Sequence, residues 1–115
     1  MAVLDVRERI ENSVLAWPGV TAAPHPAGGT EFRLERREIG HLHGDRLIDL
    51  PLPRKIRDDL IAGGWAEPHA ACPDSGWASF YVRAEPDIHR ALGLLEISYR
   101  LARQGRPAAR GERNC

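Results

Sequence analysis

Apolar and polar positions alternate along this chain in two distinct rhythms, and the places where one gives way to the other set out its elements. Val3, Val6, Ile10 and Val14 recur every three or four residues among Asp, Arg and Glu, the spacing of an amphipathic helix over Ala2 to Ala16. Trp17-Pro18-Gly19 ends it, since proline disfavours helical geometry in the residue before it and glycine permits reversal. Val20 to His25 then reads as a short strand. After the Pro24-His25-Pro26-Ala27-Gly28-Gly29 loop, Thr30 to Leu34 alternates with period two, with Phe32 and Leu34 inward. Glu35-Arg36 turns the chain into a further strand over Arg37–His43.

Pro53 opens and Gly63-Gly64 closes a short helix over residues 54–62, whose apolar side is Ile56, Leu60 and Ile61. Trp65 to His69 is extended, Cys72-Pro73-Asp74-Ser75-Gly76 is a loop, and Trp77–Arg83 alternates again. From Asp87 to Arg103 runs a broad apolar stripe of Ile88, Ala91, Leu92, Leu95, Ser98, Tyr99 and Ala102, widened by Leu94, Ile97 and Leu101. So wide a stripe needs a sheet to pack against. The expected layout is helix, three antiparallel strands, short helix, one or two further strands and long helix. This is an α+β domain over residues 1–103, with an antiparallel sheet, the N- and C-terminal helices on one face and a pocket on the other. Phe32, Leu34, Leu42, Phe80 and Val82 are expected under the helices. The pocket would be walled by the 54–62 helix and the 65–76 loop. Residues 104–115, rich in Gly, Pro and Arg without periodicity, read as a disordered basic tail.

Composition narrows the class without naming a function. A chain of 115 residues with 43% hydrophobic and 28% charged residues is one soluble domain. Formal net charge is zero. Three arginines against one glutamate in the tail leave residues 1–103 slightly acidic, which argues against a nucleic-acid partner. The longest apolar runs fall far short of a membrane span of about 20 residues, and no signal peptide is evident. A cytoplasmic protein with no membrane partner is expected. Two cysteines do not make a disulfide framework, and Cys72 reads as a plain loop cysteine.

Candidate chemistry concentrates in Arg37-Glu38-Ile39-Gly40-His41-Leu42-His43-Gly44-Asp45. His41 and His43 are two apart on a strand, so their imidazoles share one face, where each can act near neutral pH as acid, base, donor or ligand. With Glu31, Arg33, Trp77 and Tyr81 they would form the face away from the helices. His69 could join them. The alternatives are imidazoles that merely satisfy neighbouring polar groups, or a zinc or iron site built from His41 and His43 with His69, Asp45 or His25. Glu31, Glu38, Asp45 and Asp49 read as solvated or paired with Arg33, Arg36, Arg37 and Arg46. Gly28-Gly29 lacks the spacing and lysine of a phosphate loop.

Arg-Glu-Ile-Gly-His-Leu-His at 37–43, Gly-Gly-Trp-Ala-Glu-Pro-His at 63–69, Trp-Ala-Ser-Phe-Tyr-Val-Arg at 77–83 and the helix ending in Ser98-Tyr99 together resemble the luciferase domain of fungal luciferases and of small bacterial luciferase-family proteins. The likeness runs through residues 17–102. The layout is also similar to the MmcQ/YjbR fold. What the luciferase resemblance implies is a monooxygenase-type enzyme that joins molecular oxygen to a hydroxylated pyrone or similar enol, without bound flavin or known metal. Residue by residue the resemblance reaches His41, His43, His69 and Trp77, with Glu38 and Asp45 as weaker matches; His41, His43 and His69 are expected as catalytic residues, and Trp77, Glu38 and Asp45, with Tyr81 and Arg33 from the same sheet face, around a small-molecule ligand. The fungal enzymes' long N-terminal extension and membrane anchor have no counterpart in this sequence, and nothing in it says that a shared pocket emits light. In the metal-free mechanism His41 or His43 removes the enol proton, and the other, with His69, steadies the anion. Two further expectations stand beside it: a non-catalytic small-molecule or metal-binding module, and an MmcQ/YjbR-like interaction domain.

Overall fold

A computed structural model describes residues 5–26 and 28–108. Among these residues the chain forms α1 (Val6–Leu15), β1 (Val20–Pro24), β2 (Thr30–Leu34), β3 (Arg37–His43), β4 (Leu47–Pro51), α2 (Arg54–Ala62), β5 (Glu67–Pro68), β6 (Trp77–Tyr81) and α3 (Pro86–Arg103). The strands make one antiparallel sheet in the order β1-β2-β3-β4-β6-β5. With helices at both ends of the chain, this is the expected α+β arrangement. The first residues of the predicted N-terminal helix, and the tail beyond 108, lie outside the described residues. Within the start of that tail, the Arg106 N–H donates to the Leu101 carbonyl at 3.0 Å, and Arg37 donates to the Arg106 carbonyl.

The helix face is apolar and close-packed. Phe32, Leu42, Ile48 and Leu50 from the sheet are fully buried with Ile10 and Val14 of α1 and Leu95 of α3. Val82 joins them, while Leu34 and Phe80 are only half-buried at the margin. Gly40 makes the closest approach possible, because a Cβ there would stand 2.8 Å from Leu95 Cδ2 and 3.1 Å from the Asp49 carbonyl oxygen. Helix α3 can therefore sit low over β3. Its end is tied to the first turn of the chain by Tyr99, whose hydroxyl donates to the Pro18 carbonyl at 2.7 Å and whose ring lies 5.2 Å from Trp17.

Two features depart from the layout read off the sequence. Leu47–Pro51 is a fourth strand ahead of α2, placed centrally between β3 and β6. A central strand is covered on both faces and loses clean alternation, so Leu-Ile-Asp-Leu carries a weak period-two signal. Helix α2 also does not wall the second face: Leu60 and the adjoining Trp65 line one cleft with Gly93, Leu94 and Ile97 of α3, and the Arg90 guanidinium lies 5.7 Å over the Trp65 ring. Its apolar side meets the same core as α3. What α2 gives the other face is indirect. Arg57, buried, donates to the carbonyls of Trp77 and Pro73 and so fixes the 73–77 segment.

Candidate functional site

Strand register builds the site. Glu31 pairs with His41, His41 with Asp49, Asp49 with Ser79 and Ser79 with Glu67. Directly paired residues of an antiparallel sheet project to the same side, so these five form a single row across five strands, on the face away from α3. Ordinary alternation would send Glu38 to the opposite side from His41. The β2–β3 register steps by one between Phe32 and Arg33, leaving Ile39 without a partner. This bulge turns Ile39 into the core, fully buried, and brings Glu38 onto the histidine face.

His41 occupies the centre with a side chain only 1% exposed. Its Nδ1–H donates to Glu38 Oε2 at 2.6 Å and its Nε2–H to Asp49 Oδ2 at 3.2 Å. Burial by itself would lower its pKa, but hydrogen bonds to Asp49 and Glu38, and the charges of both, outweigh that and lift it to about 9. The ring is thus an imidazolium at neutral pH. Asp49 receives a further hydrogen bond from Ser79 Oγ–H to Oδ1 at 2.5 Å. Burial raises its pKa, and the His41 and Ser79 hydrogen bonds with the neighbouring imidazoles bring the net value below the ordinary carboxylate range.

Three more imidazoles surround this pair. His43 Nε2 lies 3.0 Å and His69 Nε2 3.5 Å from the same Asp49 Oδ2. His69 is held by the backbone N–H groups of Ala71 and Cys72, which donate to its Nδ1 at 3.1 and 3.3 Å. Its neutral tautomer therefore carries the proton on Nε2, facing Asp49. His25 stacks on His41 with ring centroids 4.0 Å apart, and its Nε2 is 3.9 Å from Glu31. Burial, then the His41 charge, pushes the His25 pKa below its ordinary value, so this ring is neutral at pH 7. The β1–β2 turn delivers it there through Gly29, where any Cβ would lie 2.0 Å from the Leu42 carbonyl oxygen at a φ of +87°. Trp77 closes one side, 5.2 Å from His41 and 6.2 Å from His69.

Of the residues singled out by sequence, His41, His43, His69, Glu38 and Trp77 come together. Access differs among them: His43 is 29% exposed, His25 15% and His69 11%, around the sealed His41. Arg33 is committed to Glu31 and to the Arg36 carbonyl. Tyr81 lies in the His43–Leu47–Tyr81 row and carries the Arg83 guanidinium 4.7 Å over its ring. Asp45 is exposed and lines a separate cleft with Asp5, Arg7 and Glu11 near α1. Cys72 is disulfide-bonded, which corrects its reading as a plain loop cysteine and removes it as a nucleophile. Asp49, Ser79 and His25 are the members that sequence undervalued. The one available signal was an aspartate inside the apolar run Leu-Ile-Asp-Leu, since a buried carboxylate needs partners.

Among the described residues, two groups have the donor spacing of a metal site: His25, Glu38 and His41, and His41, His43 and Asp49. They share His41 from its two ends. His69 belongs to neither group. No helix among the described residues is long and apolar enough to cross a membrane.

No curated protein and no solved structure shows a significant match to this chain. A family model does match, the luciferase domain, over residues 36–98, which hold β3, β4, β6, most of α3 and all the site residues except Glu31 and His25. The chain therefore belongs to the luciferase-domain family.

Proposed function

We propose that this protein is a small-molecule enzyme, a cofactor-independent oxygenase acting in the cytoplasm on an enol or hydroxypyrone-like compound, with neither nucleic acid nor membrane as partner. The observation that carries the reading is His41: a buried imidazolium clamped between two carboxylates, with three more accessible imidazoles about it. The imidazolium holds Asp49 ionised, and Asp49 sets the orientation of the His43 and His69 imidazoles gathered on it before the reaction begins. His41 is not the base, since it keeps its proton up to about pH 9. That role goes to His25, neutral at pH 7 and stacked on the cation. It takes the enol proton; His43 and His69 Nε2–H orient the resulting enolate, and Trp77 supplies an apolar wall. The electron-rich enolate is then the species that reacts with oxygen.

Oxygen uptake by the purified chain with a hydroxylated pyrone tests this directly. His25→Ala is expected to lower turnover by about two to four orders of magnitude while the pyrone still binds, and His41→Gln to do so without restoring activity at higher pH. Unchanged uptake in both variants would sink the assignment. A pure binding module would instead lose affinity on Trp77→Ala and show no uptake to lose.

A further inference from the structure

We infer that His41, His43 and Asp49 form a binding site for one divalent first-row transition-metal ion, with Glu38, Ser79 and His69 as its supporting shell. This rests on the site assignment above but not on the metal-free route: bound there, the ion takes the place of the Nε2 proton that His41 otherwise carries.

The donor set is two imidazoles and one carboxylate, which favours iron, zinc or their neighbours over calcium and magnesium and leaves coordination positions open for a ligand. Geometry agrees. Metal–ligand lengths of about 2.0–2.2 Å, at angles between octahedral and tetrahedral, put neighbouring donors roughly 3.0–3.4 Å apart. Asp49 Oδ2 stands 3.0 Å from His43 Nε2 and 3.2 Å from His41 Nε2, and all three donors lie within 4.8 Å of one another.

The supporting contacts separate this group from a chance cluster. A ligating histidine commonly donates its other ring N–H to a carboxylate, which fixes the tautomer and leaves the second nitrogen for the metal. Glu38 accepts from His41 Nδ1 at 2.6 Å in that manner, so an ion at Nε2 takes the place of one proton and leaves the Glu38 bond intact. Ligating carboxylates are themselves held by hydrogen bonds. Ser79 holds Oδ1 of Asp49 at 2.5 Å and leaves Oδ2 at the focus. His69 cannot ligate through Nε2 while the Ala71 and Cys72 N–H groups occupy its Nδ1, because the neutral ring then carries its hydrogen on Nε2. It faces Asp49 as a donor, and the expected His41–His43–His69 triad becomes a two-histidine, one-carboxylate set. The competing group, His25 with Glu38 and His41, would use His41 Nδ1 and break its shortest hydrogen bond.

Chelator-treated chain titrated with Zn2+ by calorimetry, and with Co2+ by visible absorption, tests the assignment without any substrate. Expected is one ion per chain, with affinity lowered at least about tenfold in His43→Ala and in Asp49→Asn, and within about threefold of the parent in His25→Ala. Circular dichroism verifies folding; should Asp49→Asn not fold, the partly exposed His43 decides. Absence of stoichiometric binding, or binding lost in His25→Ala and kept in His43→Ala, overturns the inference. Neither result touches oxygen uptake. Conversely, an ion bound as expected by a chain that consumes no oxygen leaves this site standing and removes the proposed reaction.

Discussion

The two faces of β3 carry neighbouring residues under opposite rules. Gly40 and Leu42 lie against α3, where the requirement is volume: Leu95 descends into the space a side chain at position 40 would fill. His41 and His43 look the other way, where the requirement is partners, since every buried polar atom needs one. Apolar packing tolerates exchanges of similar size. A buried charge row does not tolerate the loss of one member, because the group left behind remains charged and out of water. The helix face thus holds the fold, and the histidine face holds a specific chemistry at a cost in tolerance.

Truncations on either side should be comparably severe and differ in kind. Asp49→Ala removes the common partner of His41 and Ser79 and is expected to destabilise by about 3–5 kcal/mol. Phe32→Ala, on the helix face, is expected to cost about the same through its cavity. Urea unfolding measures both, and the contrast breaks if Asp49→Ala proves mild. Gly40→Ala should cost about 1–3 kcal/mol by overpacking against Leu95, with a larger loss for Gly40→Val.

A subtler test uses pH. The metal-free His41 pKa is raised in the folded state, so its stabilising contribution is complete below the ordinary histidine value and is lost as pH rises through about 9. The Asp49 pKa is lowered, so its contribution is present above the ordinary carboxylate value and is lost as acid carries the pH down through the folded one. Melting temperature should therefore fall between pH 7 and 10 more steeply in the parent than in His41→Gln, and Phe32→Ala should keep the parent's slope. Smallest of all should be the stability change in His43→Ala, within about 0.5 kcal/mol because the ring is partly exposed. A larger value would mean that the outer imidazoles also hold the fold.

Periodicity made the helix face readable: Val6, Ile10 and Val14 of α1, the α3 stripe, Phe32 and Leu42 all occupy the side that the pattern assigns. His41 and His43 likewise share a face as their spacing requires. The rest of the polar row depended on strand order and register, which local patterns do not encode. Asp49 looked solvated because its strand did not alternate, and it proved to be at the middle of the sheet. His25 sat between prolines in an apparent loop, and only the β1–β2 turn pressed onto β3 brings it over His41.

Ile39 shows how much can hang on a residue that pairs with nothing. By adding one step to β3 it acts as a phase shifter, letting Glu38 and His41, three positions apart, address the same space. With all seven residues kept and the bulge straightened into regular alternation, β3 would swing the carboxylate around to the oily side, leaving the imidazole one-armed. A flawless strand here would be a defective site.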